Sequence, residues 1–392
     1  MKKNSKTASK VILVIFTLIL IILFALIFSL LTSQKSADQE AEEAKQAAET
    51  NSTEISILAV GDNLIHGPIY RQAKNRATDG GYDFSYAYEA IVPYLADFDF
   101  KLINQETPLG GEELGLSSYP MFNSPTQLGD YLSSIGFNLV THANNHVLDA
   151  GVQGITNTIN YWKTQPNVTM GGIYESPTAA DQLQIVEKDG VKIAFLTYTY
   201  DTNGLKLPAD SSAVINYIDS EKILSDVAKA EEMADITLVM LHWGNEYEPQ
   251  ANDQQKQLSQ LLADADVDII IGSHPHVIQD VATLPQTDGG KCVCFYSLGN
   301  FISAQDRPAT MLGAMAGIKL NYNADKDEIN FTKVEFIPIV NQYNTGFSNI
   351  HIVPLADYTD EMASQHEVAG LSRGYFENLV KSTVNEKYIN IR

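Results

Sequence analysis

The sequence predicts an α/β domain with a largely parallel sheet, preceded by one N-terminal transmembrane helix. From residue 55 onward, short segments rich in Val, Ile, Leu, Phe or Tyr alternate with amphipathic segments, which is the pattern of strands connected by helices. An uncharged, almost wholly apolar run covers residues 11–31. Several strand-like segments stop on residues that can bind metal, and parallel strands bring such ends to one crevice.

The apolar run at residues 11–31 is long enough to cross a hydrocarbon core of about 30 Å. A cleaved signal peptide is the alternative, but its apolar region is usually about 7–15 residues long and ends at a small-x-small site, which residues 30–34 lack. Lys2, Lys3, Lys6 and Lys10 precede the run, and acidic residues follow it. We therefore expect a single-pass cell-membrane protein with residues 1–10 in the cytoplasm and the main domain extracytoplasmic.

Composition divides the rest of the chain into three parts. Residues 32–54 are rich in Ala, Glu, Gln and Lys and lack large apolar side chains, so we expect an acidic stalk. Residues 55–340 carry the strand and helix pattern and form the predicted main domain. Residues 341–392 are less patterned, apart from a predicted helix at residues 372–384, and we treat them as a C-terminal extension.

Seven segments of the main domain have the composition and length of strands. They are residues 56–61, 101–104, 138–142, 191–200, 236–241, 267–272 and 293–298. Apolar residues at helical spacing predict helices around residues 128–135 and 258–265. These elements alternate along the chain as expected for an α/β domain.

The end of the main domain has a different pattern. Residues 313–322 and 329–337 flank a polar turn, which predicts a β-hairpin in a second sheet packed on the first. Pro338 is expected to end the second arm, because proline cannot donate to a ladder of hydrogen bonds.

Charge and cysteine content limit the classes of partner. The chain has 48 Asp and Glu against 26 Lys and Arg, a formal net charge of −22, so nucleic acid is excluded as a partner for lack of a basic surface. An anionic substrate would need a local positive field, which bound divalent cations can supply. Cys292 and Cys294 point to the same face of one predicted strand, so we expect two buried free cysteines.

Residues of metal-ligand type cluster where predicted strands stop. Alone, each has an ordinary explanation, such as a helix cap for Asp62 or a buried core residue for His242. Together they are harder to explain, because six of the eight histidines lie at strand ends or turns. We therefore predict a metal site. The residues at these stops are Asp62, Glu106, Asn144, Asn145, His146, His242, His274, His276 and Asn300.

Other chemistries have less support in the sequence. It contains no Gly-x-Ser-x-Gly, no phosphate-binding Gly-x-x-x-x-Gly-Lys-Ser/Thr, no Gly-x-Gly-x-x-Gly and no His-Glu-x-x-His. A glycosidase carboxylate pair drawn from Asp62, Glu106, Asp149 and Glu246 stays open. That chemistry does not require the clustered histidines.

Six motifs occur in order over roughly residues 54–305. They are Gly61-Asp62, Asn104-x-Glu106, Ala143-Asn144-Asn145-His146-x-x-Asp149-x-Gly151, His242-Trp243-Gly244, Gly272-x-His274-Pro275-His276 and Ser297-Leu298-Gly299-Asn300-Phe301. This series resembles the signatures of the poly-gamma-glutamate capsule biosynthesis protein family (CapA type). The family is related to calcineurin-like metallophosphatases, so the resemblance implies a four-layer α-β-β-α sandwich with a metal centre at the strand ends.

The resemblance also implies roles for individual residues. One or two divalent metal ions, among Mn, Fe, Zn and Mg, would be bound by Asp62, Glu106, Asn145, His242, His274 and His276. His146 would be the catalytic imidazole, with Asp149 beside it. His66, Asn144, Trp243 and Asn300 would line the site. The chain departs from the superfamily's Asp-x-His start, because it reads Asp62-Asn63-Leu64, so one ligand is missing unless His66 replaces it.

The implied activity is metal-assisted hydrolysis or transfer in the synthesis of a capsule or another cell-surface polymer. Polymer synthase or export proteins of the membrane are the expected partners. The main alternative is a non-catalytic accessory protein that binds or guides an anionic cell-surface polymer. A glycan hydrolase is a third hypothesis, and the activity of such an enzyme should survive strong chelation.

Overall fold

The computed structural model describes residues 10–11, 13–24, 26–32, 34–35, 52–287 and 289–391. The chain divides into two units, Met1–Ser52 with Asn323–Lys326, and Thr53–Tyr322 with Asp327–Arg392. In the first unit, helix α1 (Leu13–Thr32) is long and apolar enough to cross a membrane. Nearly all of the predicted cytoplasmic segment and most of the predicted stalk lie outside the described residues.

The described residues form sixteen strands. They are β1 (Ser52–Asn63), β2 (Phe100–Asn104), β3 (Leu139–Thr141), β4 (Thr169–Gly171), β5 (Ile173–Tyr174), β6 (Gln184–Lys188), β7 (Val191–Thr199), β8 (Val214–Ile215), β9 (Ile236–His242), β10 (Ile269–Ser273), β11 (Val281–Pro285), β12 (Lys291–Phe295), β13 (Asn300–Ile302), β14 (Leu312–Asn323), β15 (Glu328–Asn344) and β16 (Ser348–Pro354). All seven predicted strands are present, with ends that differ by a few residues.

Ten further α-helices follow α1 in the described residues. They are α2 (Gly67–Arg76), α3 (Ser85–Tyr88), α4 (Val92–Leu95), α5 (Gln127–Ser134), α6 (Gly151–Trp162), α7 (Pro177–Ala180), α8 (Ser220–Met233), α9 (Asp253–Ala263), α10 (Asp360–Gln365) and α11 (Arg373–Thr383). Helices α5, α9 and α11 correspond to the three predicted helices.

The strands form two large sheets and one small one. The eight-stranded sheet has the order β16-β15-β14-β1-β2-β3-β4, with β13 pairing the end of β1. The six-stranded sheet has the order β11-β12-β10-β9-β7-β6. The central pairs β1–β2, β2–β3, β7–β9 and β9–β10 are parallel, so their carboxyl ends face the same direction within each sheet.

Alternation along the six-stranded sheet shows how the layers pack. In β9, Leu238 and Met240 join the large core that contains the eight-stranded sheet. Val239 and Leu241 point the other way, into a second core lined by Ile223 of α8. Since successive strand residues face opposite sides, this sheet packs on the other sheet with one face and on helices with the other. The mixed α/β sandwich agrees with the predicted fold class.

Three expectations for the last part of the chain need correction. The predicted hairpin arms exist as β14 and β15, but they extend the sheet that contains β1 and do not form a separate sheet. Pro338 does not end β15, because its carbonyl accepts a hydrogen bond from the Leu355 N–H at 2.9 Å and pairing with β16 starts at the next residue. The boundary predicted at residue 340 therefore falls inside β15, and residues 341–391 belong to the same unit as the two sheets. The two cysteines are buried and free, as expected.

Candidate metal centre

The candidate metal centre lies where strand ends of both sheets meet. Asp62 is near the end of β1, Glu106 follows β2, and His276 follows β10. One ligand atom of each lies within 4.8 Å of the other two, and all three residues are buried. The sequence therefore brings two carboxylates and an imidazole from distant segments to one point, as expected for carboxyl ends of parallel strands.

A close backbone approach fixes the start of the site. A Cβ at Gly61 would lie 1.9 Å from the carbonyl oxygen of Gly299, so only glycine fits there. The approach allows the Asp62 N–H to donate to that carbonyl at 3.0 Å. The segment that begins at Gly299 is thereby held against the end of β1, and Asn300 pairs with Asp62.

Both oxygens of Asp62 accept hydrogen bonds from the protein. The Asn104 side-chain amide donates to Oδ1 at 2.8 Å, and the His274 backbone N–H donates to Oδ2 at 3.2 Å. The Nδ1 atom of His276 also lies 3.2 Å from Oδ2. Asp62 is therefore fixed in orientation by two segments of the chain, the end of β2 and the turn after β10.

Glu106 presents the opposite situation. Within the described parts of the chain, neither carboxylate oxygen of Glu106 has a hydrogen-bond partner, although the side chain is fully buried. The nearest imidazole nitrogens, Nε2 of His242 and Nε2 of His276, are 3.7 and 3.8 Å from Oε1. Burial raises the pKa of Glu106 well above its ordinary value, and the neighbouring Asp62 adds to this shift. A buried carboxylate without donors is costly unless a cation satisfies it.

His276 is oriented by Asn300. The Asn300 side-chain amide donates to Gln305 Oε1 at 2.9 Å and to the Thr310 carbonyl at 3.1 Å. These donations turn its Oδ1 toward His276 Nδ1, 3.0 Å away. Nδ1 therefore carries a proton, and Nε2 points toward Glu106, where a bound cation would take the place of any proton on Nε2. Burial opposes the imidazolium form, but Glu106 and Asp62 raise the pKa of His276 to about 9.

His242 has a similar arrangement on the other side of Glu106. Its Nδ1 lies 2.9 Å from the Ser273 hydroxyl, while its Nε2 lies 2.9 Å from Oδ1 of Asn145. His242 and Ser273 share the inward face of adjacent strands, since they are in register between β9 and β10. Burial lowers the pKa of His242, and nearby His274 lowers it further, which favours the neutral form that binds metals.

His274 completes the imidazole cluster from a strained turn. His274 and His276 have φ angles of +99° and +58°, in the left-handed region that side chains other than glycine rarely adopt. Such strain costs on the order of 1–3 kcal/mol for each residue and is concentrated at functional sites. The His274 ring lies 4.8 Å from that of His242 and 4.4 Å from that of Tyr200. In the described chain its Nδ1 has no hydrogen-bond partner.

His146 and Asp149 form a buried pair beside the cluster. His146 Nδ1 lies 2.7 Å from Asp149 Oδ2, and the same oxygen accepts the Phe122 N–H at 2.8 Å. The Phe122 ring packs edge-on against His146 at 4.8 Å. The carboxylate therefore fixes the proton on Nδ1 and leaves Nε2 as the nitrogen available for chemistry.

The remaining predicted lining residues have different positions. The Asn144 side-chain amide donates to the Gln105 carbonyl at 3.1 Å, so it shapes the loop. His66 precedes α2, and its Nδ1 receives the Ala304 N–H at 3.2 Å. It lies outside the Asp62, Glu106 and His276 trio. Trp243 faces away, because it follows His242 on the strand and donates to the Tyr296 carbonyl at 2.9 Å within the second core.

Sequence reasoning did not assign a role to four residues that contact the site. Asn104 and Ser273 hold Asp62 and His242, and both end strands, so their positions carried the same signal as the predicted ligands. Tyr200 directly follows β7 and packs on His274. Phe122 comes from a long loop, and no pattern in the sequence identifies it.

The residues present fit a divalent cation. The donor set combines two carboxylates, an amide oxygen and imidazole nitrogens, which suit ions such as Mn, Fe and Zn. The unpartnered oxygens of Glu106 and the unpartnered Nδ1 of His274 are atoms that a cation would satisfy. The cluster therefore suggests divalent metal binding and leaves the identity of the metal open.

Two curated relatives share sequence with this chain. It is 34% identical over 193 residues to the PGA biosynthesis protein CapA of Bacillus subtilis (strain 168), covering 49% of this chain and 49% of that protein. It is 26% identical over 280 residues to the capsule biosynthesis protein CapA of Bacillus anthracis, covering 69% of this chain and 65% of that protein. The chain therefore spans less than two thirds of the length of either relative.

Solved structures with a similar arrangement include a phosphatase from Mycoplasma pneumoniae and the calcineurin-like phosphoesterase YfkN from Bacillus subtilis. The first covers 74% of this chain and 94% of its own, at 13% identity and a TM-score of 0.47. The second covers 84% and 96%, at 13% identity and a TM-score of 0.42. Similarity at this level does not define a function for the chain.

The family model for the bacterial capsule synthesis protein PGA_cap matches residues 56–305. This range begins in β1 and ends just after β13, and it contains every predicted ligand from Asp62 to His276. It covers well over half of the chain. The chain therefore belongs to the bacterial capsule synthesis protein PGA_cap family.

Proposed function

We propose that this chain is a membrane-anchored, metal-dependent hydrolase or transferase that acts on a cell-surface polymer during capsule synthesis. The observation that carries this proposal is the buried Glu106, whose oxygens have no hydrogen-bond partner in the described chain. Its surroundings hold Asp62, His242 and His276. A site of this composition has no evident structural purpose, because a pair of apolar residues would pack more favourably than unpaired buried charges.

Glu106, Asp62 and His276 would hold one cation, and Asn145, His242 and His274 would extend the donor set to a second one. A bound divalent cation supplies a Lewis acid and lowers the pKa of water toward neutrality. The protein supplies orientation. Asn300 and Ser273 fix the imidazoles of His276 and His242, so that both present Nε2 toward Glu106.

His146 is the proposed proton donor to the leaving group. Asp149 Oδ2 accepts a hydrogen bond from Nδ1 at 2.7 Å and fixes the orientation of the ring, so Nε2 is the nitrogen that would donate the proton. Phe122 holds both partners, since its N–H bonds Asp149 and its ring packs on His146. Such positioned proton transfer typically contributes about 10²–10⁴-fold to a rate.

The proposed setting is the outer face of the cell membrane. Helix α1 would anchor the chain, with the lysines that precede it in the cytoplasm and the two sheets outside. The family and the two CapA relatives support a role in capsule synthesis, for which poly-gamma-glutamate is the proposed polymer. Membrane-bound polymer synthase or export proteins are the proposed partners.

A non-catalytic accessory role is the second proposal, and one observation favours it. Asp62 already satisfies both oxygens with hydrogen bonds from the protein, and Leu64 stands where related metallophosphatases have a histidine. A centre that binds metal weakly at one of its two positions would suit a protein that binds or guides an anionic polymer without cleaving it.

The test is turnover by the purified full chain in detergent. Bis-p-nitrophenyl phosphate probes phosphodiester cleavage, and γ-glutamyl-p-nitroanilide probes amide cleavage, each before and after chelation and after return of Mn²⁺. We expect chelator-sensitive turnover of at least one probe that His146→Ala lowers strongly. Turnover that survives chelation would contradict the proposed metal-dependent mechanism. Absence of turnover in a folded, metal-loaded protein would favour the accessory role.

A further inference from the structure

The rim of the metal centre carries an arginine with a free guanidinium. Arg307 lies 3.9 Å over the ring of Tyr247. Apart from this stacking, its side chain forms no hydrogen bond or ion pair among residues 52–287 and 289–391. Arg307 is exposed, so its planar set of N–H donors is open to a ligand from solvent.

Contacts on one side tie Arg307 to the metal centre. The preceding segment is held by Asn300, which donates to Gln305 at 2.9 Å, and by His66, which accepts the Ala304 N–H at 3.2 Å. Asn300 is also the residue that orients His276. The Arg307 carbonyl accepts from the Thr310 N–H and hydroxyl at 3.0 and 2.9 Å. The guanidinium is therefore presented from a well-fixed loop.

Tyr247 provides the link on the other side. Its N–H donates to the Pro275 carbonyl at 2.8 Å, within the turn that carries His274 and His276. Its ring lies 6.1 Å from that of His276. Its φ angle of +66° is in the strained left-handed region, which is concentrated at functional sites. The Tyr247 ring thus lies between the Arg307 guanidinium and His276, a predicted metal ligand.

Charge gives this position a purpose. The centre contains the carboxylates of Asp62 and Glu106, and Glu246 directly precedes Tyr247 in the chain. These acids repel an anionic substrate that approaches along this rim. Arg307 supplies a compensating cation whose fork matches the geometry of carboxylate and phosphate groups.

We propose that Arg307, held on Tyr247, binds an oxyanion of the substrate beside the metal centre and so selects anionic polymers. The oxyanion is a carboxylate or a phosphate. This inference rests on the proposed function for its substrate, but anion binding can be measured without turnover. The position of Arg307 is that of a specificity-determining residue, and it takes no part in bond cleavage.

The test measures equilibrium binding to the full chain in detergent by calorimetry, with and without added Mn²⁺. The probes are a γ-linked glutamate pentamer, a glycerol-phosphate pentamer and a neutral pentamer in which amides replace the carboxylates. The variants are Arg307→Gln and Arg307→Lys. Arg76→Gln is the matched control, because Arg76 stacks on Tyr86 at 3.7 Å at the far end of α2, about 15 Å along the helix from its start.

We expect Arg307→Gln to weaken binding of at least one anionic pentamer by about tenfold or more, the usual effect of losing a charge-assisted hydrogen bond. Arg307→Lys should recover only part of this loss, because lysine keeps the positive charge but lacks the planar guanidinium that binds an oxyanion with two hydrogen bonds. Binding of the neutral pentamer should be unchanged in the Arg307 variants, and Arg76→Gln should bind all three pentamers as wild type does. Dependence on only one anion identifies whether the group is a carboxylate or a phosphate.

Three results would overturn the inference. These are wild-type binding that does not distinguish charged from neutral pentamers, equal binding by Arg307→Gln and wild type, or equal losses for charged and neutral pentamers in both Arg307 variants. The last result would indicate a structural role for the stacked pair. If Arg307-dependent binding is found without any metal-dependent turnover, the hydrolase proposal fails and anion binding stands.

Discussion

The two buried carboxylates of the centre differ in how the protein uses them. Asp62, at the end of β1, accepts hydrogen bonds on both oxygens, from Asn104 and from the His274 N–H. Glu106, after β2, accepts none from the described chain. Both side chains are fully buried, so the difference is in partners and not in exposure. Asp62 holds segments of the site together, whereas Glu106 keeps its lone pairs for a cation.

Among the substitutions, Glu106→Gln should have the largest effect on metal affinity. The amide removes the charge but keeps the size, so we expect metal affinity to fall by more than about 100-fold, beyond the range typical for loss of an outer partner of a ligand. Turnover should be lost with the metal. Asp62→Asn should lower affinity less, because the protein already satisfies its oxygens. Metal titration of both variants checks this, and equal losses would remove the distinction between the two carboxylates.

His146→Ala should separate proton transfer from metal binding. We expect kcat to fall by about 10²–10⁴-fold with metal content unchanged, because His146 pairs with Asp149 and lies outside the ligand trio. Asp149→Asn should lower kcat by a smaller factor, because the imidazole of His146 remains. Loss of metal from His146→Ala would instead place His146 among the ligands.

Asn300→Ala and Ser273→Ala compare the outer partners on the two sides of Glu106. Each removes the group that fixes one imidazole, His276 or His242. We expect metal affinity to fall by about tenfold in each, the lower end of the effect known for outer partners. Asn300→Asp should keep the side-chain oxygen that accepts from His276 Nδ1 and should therefore lose less metal affinity. Unchanged affinity in both alanine variants would show that the imidazoles are oriented by packing alone.

Asp268 is a buried carboxylate away from the centre and offers a contrast to Glu106. It accepts the Thr237 N–H at 2.8 Å and the Gln286 amide at 3.3 Å, yet burial raises its pKa to about 8. Its unfolded pKa is about 3.9, so the folded state binds more protons at Asp268 between these values, and the contribution of Asp268 to stability falls as pH rises from about 4 to 8.

Asp268→Asn should remove this pH dependence without affecting metal binding. The free energy of unfolding of the variant, relative to wild type, should rise by roughly 3–4 kcal/mol between pH 5 and pH 8, since each pH unit over which only the folded state holds the proton is worth about 1.4 kcal/mol. Denaturant unfolding at the two pH values measures it. A parallel pH profile for both proteins would contradict the raised pKa.

The sequence predicted the strand ends well because the signal is local there. Apolar runs that stop on Asp62, Glu106 or His242 are visible without knowledge of the fold, and the central parallel strands bring such stops together. The hydrogen bonds that distinguish Asp62 from Glu106 were not predictable, because Asn104 and the His274 N–H reach Asp62 through relative positions of separate segments.

Elements that depend on sheet assembly were predicted less well. The arms β14 and β15 have ordinary strand patterns, but nothing local shows that they join the sheet of β1. Pro338 was expected to end β15, and only its pairing environment explains why the strand continues. Trp243 shares a motif with His242, yet alternation along the strand directs it into the other core.

The most direct test of the account is the metal content of the purified full chain, measured by elemental analysis after reconstitution with Mn, Fe, Zn or Mg. Glu106→Gln and Asp62→Asn are measured beside wild type, with circular dichroism to confirm folding. The account predicts at least one bound ion for each wild-type chain and its loss in Glu106→Gln, with partial retention in Asp62→Asn. A folded wild-type protein that binds none of these ions, or a Glu106→Gln variant that binds as wild type does, would contradict it.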